Sequence, residues 1–236
     1  MKGTNNHIMK ILLFDIDGTL IHSGGSGKHA MEVAFEEIYR IAGGLDDVLL
    51  AGQTDPKILL DAFQKHNLAW QDEQVEKFKD RYFVHLAEDM QRPRLKRRLM
   101  PGFPKLLDEL KKMPDIHIGL LTGNWIRGAE IKLAYFDLWK YFEFGAFGDD
   151  EWDRNKLVPH ALRRAEENFG IRPQRDRVYV IGDTPRDILC ARPHGATAVA
   201  VATGEYSIAE LRAEKPDFLF EDLSEVEKVL EIFRSR

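Results

Sequence analysis

The chain has 236 residues, of which 44% are hydrophobic and 31% charged, and a formal net charge of −5. This length suits one large domain or a core with a small partner domain, and the weak negative charge gives no indication of nucleic acid or an anionic membrane as a partner. The single cysteine, Cys190, excludes an internal disulfide, and no apolar run is long enough for a membrane span. Because residues 1–10 also lack a signal-peptide pattern, we expect a cytoplasmic enzyme or binding protein.

Short apolar runs alternate with helical patterns along most of the chain. The predicted strands are residues 9–14, 116–121, 142–147, 178–181, 196–202 and 218–220. The segments with apolar residues at helical spacing are 104–112, 128–138, 158–170, 187–195, 209–215 and 224–233. Near-continuous apolar strands that alternate with helices are typical of a sheet buried on both faces. The sequence therefore predicts the α/β class, with a doubly wound parallel sheet.

One interval is too long for a single crossover. About 100 residues separate Leu20 from Leu121, whereas a crossover with its helix needs roughly 30. The excess carries helical patterns, at 28–41, 56–66 and 72–90. We therefore predict a core domain over 1–21 and 99–236, interrupted by a helical domain over 22–98. The returning connection, RPRLKRR at 92–98, is typical of a solvated basic face or, alternatively, of an electrostatic funnel at a cleft mouth.

The first predicted strand ends in a pair of carboxylates. The stretch FDIDGTL at 14–20 places Asp15 and Asp17 directly after the apolar run. An unpaired buried charge is so unfavourable that such groups are normally neutralised, paired or bound to a metal. A step of two residues in an extended strand puts both side chains on one face. Alone, the two aspartates could be turn formers.

Further polar groups follow the other predicted strands. They are Thr122, Gly123 and Asn124 in LTGN, then Asp183 and Asp187 in GDTPRD, and a helix begins near Lys156 in DRNKLVP. Each has an ordinary alternative as a turn residue, a helix cap or an exposed lysine. In an open parallel sheet, however, ligands bind beyond the carboxyl ends of the strands. Carboxylates that converge there with a hydroxyl, glycine amides and a lysine predict a Mg²⁺-dependent phosphoryl-transfer site.

The four segments together resemble the four motifs of the haloacid dehalogenase superfamily, in the same order along the core. The presence of Asp17 indicates the Mg²⁺-dependent phosphatase branch. The 22–98 insertion resembles the helical cap of the phosphoglycolate phosphatase and β-phosphoglucomutase group, and the tail at 202–226 is similar to phosphoglycolate phosphatase-type members. The resemblance implies a Rossmann-like core, Mg²⁺ as cofactor and a small phosphorylated metabolite as substrate, with no nucleic acid or membrane partner.

The resemblance also implies roles for individual residues. Asp15 would be the nucleophile and a metal ligand. Asp17 would be the acid and base, with its backbone carbonyl on the metal, and Asp183 would complete the metal site. Phosphate oxygens would be bound by Thr122, Gly123 and Asn124. Gly18 would let the chain turn close to the ligand, and Asp187 would support the site.

The third motif matches less closely. The family pattern is a lysine followed by prolines, and this chain has Lys156-Leu157-Val158-Pro159. The register favours Lys156 as the catalytic, phosphate-binding cation. Arg154, two residues earlier, is the alternative, and its forked guanidinium would grip phosphate differently from the point charge of a lysine.

Substrate selection is expected from the insertion, and GQTDP at 52–56 is its most distinctive stretch. The plain interpretation is a helix start, with Thr54 or Asp55 as N-cap. The resemblance implies that Gly52, Gln53 and Thr54 face the substrate. His22 follows the nucleophile loop closely enough to reach a substrate, although a surface role fits it equally well.

Two alternatives to a phosphatase share this constellation. A phosphomutase of the β-phosphoglucomutase type would use the same aspartyl-phosphate. A non-catalytic regulatory protein would be expected to lack a carboxylate of the site, whereas Asp15, Asp17 and Asp183 are all present. The sequence identifies neither the metabolite nor the oligomeric state.

Overall fold

A six-stranded parallel sheet forms the centre of the computed structural model, which describes residues 9–170 and 173–234. Residues 1–8, which belong to the predicted core domain, lie outside the described residues. The strands are β1 (Lys10–Phe14), β2 (Ile21–His22), β3 (Arg98–Leu99), β4 (Ile116–Leu121), β5 (Phe144–Ala146), β6 (Val178–Gly182), β7 (Thr197–Val201) and β8 (Phe218–Phe220). The large sheet has the order β5-β4-β1-β6-β7-β8 with every pair parallel. The predicted fold class is confirmed.

Helices cover both faces of this sheet. They are α1 (Ser26–Tyr39), α2 (Asp55–Lys65), α3 (Asp72–Gln91), α4 (Lys105–Leu110), α5 (Ile126–Tyr135), α6 (Leu157–Phe169), α7 (Pro185–Ala191), α8 (Ile208–Ala213) and α9 (Val226–Arg234). Alternate residues of β1 serve the two faces, as the period of a strand requires. Leu12 and Phe14 pack in the cluster with α4, α5 and α9, whereas Ile11 and Leu13 pack in the cluster with α6 and α7.

The long interval after β1 holds three helices, α1 to α3. The short strands β2 and β3 pair antiparallel where this segment leaves and returns, with Ile21 opposite Leu99 and His22 opposite Arg98. The helices share an apolar cluster of their own, built around Phe35, Phe63 and Phe78. Trp125, just before α5, belongs to the same cluster, so the insertion packs directly against the core. Its status as a separate domain over 22–98 stays a prediction.

The basic connection at 92–98 is not uniformly solvated. Lys96 and Arg98 are exposed and line the mouth of the central cavity. Arg97 points inward, and only 4% of its side chain is exposed. Its guanidinium donates to the carbonyl oxygens of Ser23 and Met90, at 3.1 and 2.6 Å. Arg97 therefore ties the two connections of the insertion together. Arg94 is partly buried and pairs with Asp89, while the other three cations of this stretch face solvent.

Among the described residues, no helix is both long and apolar enough to cross a membrane.

Candidate active site

The predicted motifs meet in one cavity of about 560 Å³ at the carboxyl edge of the sheet. Its floor is formed by residues that follow β1, β4 and β6, which are the three central strands of the parallel sheet. Parallel strands end at a common edge, so side chains far apart in sequence come together there. The insertion supplies the opposite wall, through the start of α1 and the loop before α2.

Asp15 is a buried carboxylate of the site and is paired with an arginine. Its backbone amide donates to the carbonyl of Ile181 at 2.9 Å, which continues the ladder between β1 and β6. One of its carboxylate oxygens lies 3.2 Å from Nη2 of Arg154, and both side chains are buried. Burial raises the pKa of Asp15 to about 6, and Arg154 opposes this rise. The same guanidinium pairs with Asp187, so Arg154 bridges two carboxylates.

Asp183 is a buried carboxylate without a cation partner in the described part of the chain. It accepts a hydrogen bond of 3.0 Å from the hydroxyl of Thr19. Burial, together with the neighbouring charges of Asp15 and Asp187, raises its pKa well above the ordinary range. Oxygen atoms of Asp15, Asp183 and Asp187 lie within 4.8 Å of one another. One guanidinium, that of Arg154, faces these three carboxylates, so the cluster keeps an excess of negative charge. Its hard oxygen atoms are a donor set that fits Mg²⁺.

The turn after β1 depends on a glycine. Gly18 has a φ of 87°, a conformation that side-chain-bearing residues rarely adopt. A Cβ atom at this position would also overlap the carboxylate of Asp183. The close approach of these two chain segments therefore requires glycine at position 18.

Asp17 does not turn toward this carboxylate cluster. Its Oδ2 accepts hydrogen bonds from Nζ of Lys132 at 2.6 Å and from Nδ2 of Asn124 at 3.0 Å. Burial acts to raise the pKa of Asp17, but the charge of Lys132 and the hydrogen bonds from Lys132, Asn124 and Ser23 together outweigh it and hold that pKa below its ordinary value. Asp15 and Asp17 thus line one cavity with different partners, an arginine for the first and a lysine for the second.

Thr122, Gly123 and Asn124 all line the cavity directly after β4. The hydroxyl of Thr122 accepts from Nδ2 of Asn124 at 2.8 Å, and its own hydrogen can still donate. A Cβ on Gly123 would overlap the backbone of Gln53, and the Gly123 carbonyl accepts from the amide of Asp55 at 2.7 Å. Because position 123 has no side chain, the loop before α2 can pack directly against the end of β4.

The structure brings Arg154 into the site and does not bring Lys156 there. The Lys156 side chain is 59% exposed, and its ammonium lies 3.8 Å from Glu151. A short 3₁₀ turn at Arg154–Lys156 precedes α6. Arg154 falls in line with the buried Leu157, three residues later, whereas Lys156 projects to the other side. The sequence-based preference for Lys156 is not supported by this placement.

Three residues of the GQTDP stretch, Gly52, Gln53 and Asp55, line the cavity. His22 lines it as well, and its Nδ1 accepts from the amide of Gly24 at 3.0 Å. Thr54 has the structural role instead. Its hydroxyl caps α2 by accepting from the amide of Lys57 at 3.3 Å, and donates to the carbonyl of Trp152 at 2.6 Å.

Asp55 is a feature of the site that the sequence analysis treats only as a cap candidate. Its Oδ2 accepts a hydrogen bond of 2.9 Å from the amide of Trp125, so the carboxyl joins the insertion to the start of α5. Burial raises the pKa of Asp55 to about 7, against the opposing charge of Lys132. The folded protein therefore binds this proton more tightly than the unfolded chain does.

Replacing Asp55 by asparagine should change how stability depends on pH. The pKa rises from 3.8 to about 7 on folding, so the carboxyl favours folding most strongly below about pH 4, and this contribution is lost as pH rises through 7. The asparagine variant lacks it, while its amide oxygen can still accept from Trp125. Between pH 4 and 8, the free energy of unfolding should fall by about 4 kcal/mol more in the wild type than in Asp55→Asn. Urea unfolding at several pH values measures this, and a difference that is constant with pH would contradict it.

Lys132 and Tyr82 are cavity residues that the sequence analysis misses. Lys132 lies in the buried stripe of α5 with Gly128, Ala129 and Leu133. A lysine on the apolar face of a helix predicts a buried ion pair, because a buried cation needs a partner. Tyr82 lies in α3 amid the aromatic residues of the insertion, and nothing in its sequence surroundings separates it from a core residue.

Two relatives and one solved structure are similar to this chain over almost its whole length. A protein from Caldanaerobacter subterraneus, named as the pyrophosphatase PpaX, is 27% identical over 228 residues, covering 94% of this chain and 96% of the relative. A phosphoglycolate phosphatase from Mannheimia succiniciproducens is 26% identical over 235 residues, covering 95% of this chain and 100% of the relative. The crystal structure of a hydrolase from Pseudomonas syringae superposes with a TM-score of 0.70 at 24% identity, over 95% of this chain and 99% of that one.

The structural likeness shows that the fold is shared. The model of the haloacid dehalogenase-like hydrolases matches residues 9–195, which include all the motifs that form the cavity floor. With that match over most of its length, the chain is an enzyme of the haloacid dehalogenase-like hydrolase family.

Proposed function

We propose that this enzyme is a Mg²⁺-dependent phosphatase that hydrolyses a small phosphorylated metabolite through a phosphate ester of Asp15. The observation that carries the proposal is the buried Asp15–Asp183–Asp187 cluster. Two of its members, Asp15 and Asp183, line the same cavity as Asp17. The names of the relatives, a phosphoglycolate phosphatase and a pyrophosphatase, describe small phosphorylated substrates of the same kind.

The two aspartates after β1 divide the chemistry between them. A carboxylate oxygen of Asp15 attacks phosphorus, and the bond from phosphorus to the leaving oxygen breaks while Asp17 delivers a proton to that oxygen. Because the pKa of Asp17 is low before the substrate binds, Asp17 takes up this proton on binding of the substrate. Asp17 then takes a proton from water, the water oxygen attacks phosphorus, and the bond to Asp15 breaks. Phosphate leaves, and both carboxyl groups return to their starting states.

The remaining groups stabilise charge. When bound, Mg²⁺ would be held by Asp15, Asp183 and the backbone carbonyl of Asp17, and would offset the charge on the transferring phosphoryl group. Thr122 and the amide of Gly123 donate to phosphate oxygens. We assign the third-motif cation to Arg154, because its guanidinium touches Asp15 whereas Lys156 is outside the cavity.

Phosphate release is expected from p-nitrophenyl phosphate when the purified protein is supplied with Mg²⁺. Treatment with EDTA should abolish the release and excess Mg²⁺ should restore it, because the clustered carboxylates cannot otherwise accept a phosphate dianion. A panel of sugar phosphates, phosphoglycolate, nucleotides and pyrophosphate then identifies the substrate class. Undiminished release in EDTA would rule out the metal-dependent mechanism.

A phosphomutase reaction is the alternative that uses the same aspartyl-phosphate, and no contact in the cavity favours it over hydrolysis. Incubation of a sugar monophosphate with a trace of its bisphosphate separates the two, because a mutase yields the isomeric monophosphate instead of free phosphate. Cytoplasmic location also remains a prediction.

A further inference from the structure

The cavity has a second end, opposite the Asp15–Arg154 pair, where Lys132 lies. Only 5% of its side chain is exposed. Two of the three ammonium hydrogens are used, since Nζ donates to Oδ2 of Asp17 and to Oδ1 of Asn124, both at 2.6 Å. The third finds no acceptor within the described ranges 9–170 and 173–234, although Lys132 lines the cavity. A buried ammonium with a free N–H is a ready donor for a ligand oxygen.

A second unsatisfied donor lines the same cavity. The hydroxyl of Tyr82 is buried and has no hydrogen-bond partner among the residues that the structure describes. Buried polar groups are normally paired, so an orphaned hydroxyl at a cavity wall indicates a missing ligand. It belongs to α3 of the insertion, whereas Lys132 belongs to α5 of the core. A ligand bound to both would therefore join the insertion to the core.

The start of α1 adds positive potential at this end. Gly25, Gly27 and Lys28 line the cavity, and the helix has no side-chain cap. A Cβ on Gly27 would lie 3.1 Å from Nζ of Lys132, so the first turn of α1 closes directly over the ammonium. Free amide groups at a helix start favour an anion. All these features are donors or positive charge.

Lys132 also lies next to the leaving group in the proposed reaction. Asp17 protonates the leaving oxygen in that reaction, and Lys132 donates to Oδ2 of the Asp17 carboxylate at 2.6 Å. An atom within hydrogen-bond reach of Asp17 is therefore within a few ångströms of the ammonium. The group that Lys132 can contact is the part of the substrate one or two bonds beyond the leaving oxygen.

On these grounds we infer that Lys132 and Tyr82 form a receptor for a second oxyanion, a carboxylate or a phosphate, carried by the leaving group close to the scissile oxygen. The inference rests on the proposed phosphatase function and narrows its substrate class. Lys132 is thus a specificity-determining residue, distinct in role from Arg154 at the phosphoryl end.

A matched pair of substrates isolates this role. In phosphoglycolate and in 2-hydroxyethyl phosphate the leaving oxygen carries a CH₂ group. That CH₂ group bears a carboxylate in the first compound and a hydroxymethyl group in the second, and this is the only difference between them. The wild type should prefer phosphoglycolate in kcat/KM by roughly 10- to 100-fold. Lys132→Met should remove most of this preference, whereas Lys132→Arg should keep part of it. Pyrophosphate is the third substrate, and its rate relative to phosphoglycolate tells whether the second anion is a phosphate or a carboxylate.

The ratio of kcat/KM for phosphoglycolate to kcat/KM for 2-hydroxyethyl phosphate distinguishes a lysine that binds the substrate from a lysine that only orients Asp17. A lysine that only orients Asp17 would lower the rates with both substrates equally and leave the ratio unchanged, which would overturn the inference. Tyr82→Phe is the second variant, because it removes a hydroxyl that has no protein partner and leaves the packing ring in place. It should reduce the ratio severalfold without lowering the melting temperature.

A binding measurement keeps the inference independent of turnover. 3-Phosphonopropionate has the shape of phosphoglycolate with a non-hydrolysable P–C bond, and propylphosphonate replaces its carboxylate by a methyl group. Calorimetric titration of the Mg²⁺-loaded wild type should show the first binding roughly 10- to 100-fold more tightly, with the difference largely lost in Lys132→Met. Equal affinities in the wild type would overturn the receptor even if phosphatase activity is found, while tight selective binding without turnover would instead contradict the proposed function.

Discussion

Replacement of Asp15 by asparagine should reduce Mg²⁺-dependent phosphate release by roughly 10⁴- to 10⁶-fold, as loss of a nucleophile does in other enzymes. Asparagine has nearly the shape of aspartate but cannot attack phosphorus or carry the negative charge that a metal requires. The measurement is kcat/KM for p-nitrophenyl phosphate and for the best substrate of the panel. Retention of more than a small fraction of the activity would exclude Asp15 as the nucleophile.

The structure also predicts that this variant stays folded. Burial raises the pKa of Asp15 to about 6, so a neutral side chain is accommodated more easily than a charged one. Arg154 keeps Asp187 as a partner. We therefore expect the melting temperature of Asp15→Asn to equal or exceed that of the wild type near pH 8. Asp80→Asn, on the exposed side of α3, is the matched control and should be fully active.

The second large effect concerns Arg154. Its replacement by alanine leaves the buried carboxylates Asp15 and Asp187 without their shared cation, and breaking a buried ion pair typically destabilises a protein by about 3–5 kcal/mol. Loss of a cation beside the nucleophile should lower kcat/KM by roughly 10²- to 10³-fold. Arg154→Lys, which keeps the charge but not the fork, should recover part of both losses.

Lys156→Ala is the matched control for Arg154→Ala, since the two residues share one turn. With its side chain 59% exposed, Lys156 should be replaceable with a change in stability within about 0.5 kcal/mol and no appreciable loss of activity. Thermal unfolding and kcat/KM measured on the same preparations make the comparison. The reverse outcome, in which Lys156→Ala is inactive and Arg154→Ala is not, would show that the placement of this turn is wrong.

This pair of residues illustrates where sequence reasoning fails and why. Motif spacing favours Lys156, but position in a motif says nothing about helical phase. Two residues correspond to about 240° around a 3₁₀ turn, so Arg154 and Lys156 point to different sides, and of the two it is Arg154 that lines the cavity. The buried residues Leu157, Val158 and Ala161 define the inward face of α6. Arg154 lies three residues before Leu157 and so continues this face toward the N-terminus. The periodic pattern therefore favours Arg154 as the residue that faces the cavity, whereas the motif register favours Lys156.

Other parts of the fold are predictable from local pattern alone. Near-continuous apolar runs identify the six strands of the large sheet, because strands buried on both faces consist mostly of apolar residues. Asp15, Thr122 and Asp183 each follow one of these strands. Because the carboxyl ends of parallel strands lie at one edge of the sheet, the sequence alone predicts that the three side chains lie close together. Lys132 and Tyr82 are different, because their significance depends on the position of the insertion over the core. No local pattern encodes the meeting of α3 with α5.

The central claim is that Asp15 carries the phosphoryl group during turnover. It is tested most directly with Asp17→Asn and 2,4-dinitrophenyl phosphate, a substrate whose leaving group needs no proton. Because this variant lacks the base that activates water, the first step should proceed while the second is slowed. We predict a burst of one dinitrophenolate per active site and an 80 Da adduct on the tryptic peptide 11–28, absent when Asp15 is also replaced by asparagine. Steady release without a burst, or an adduct on any other residue, would contradict the account.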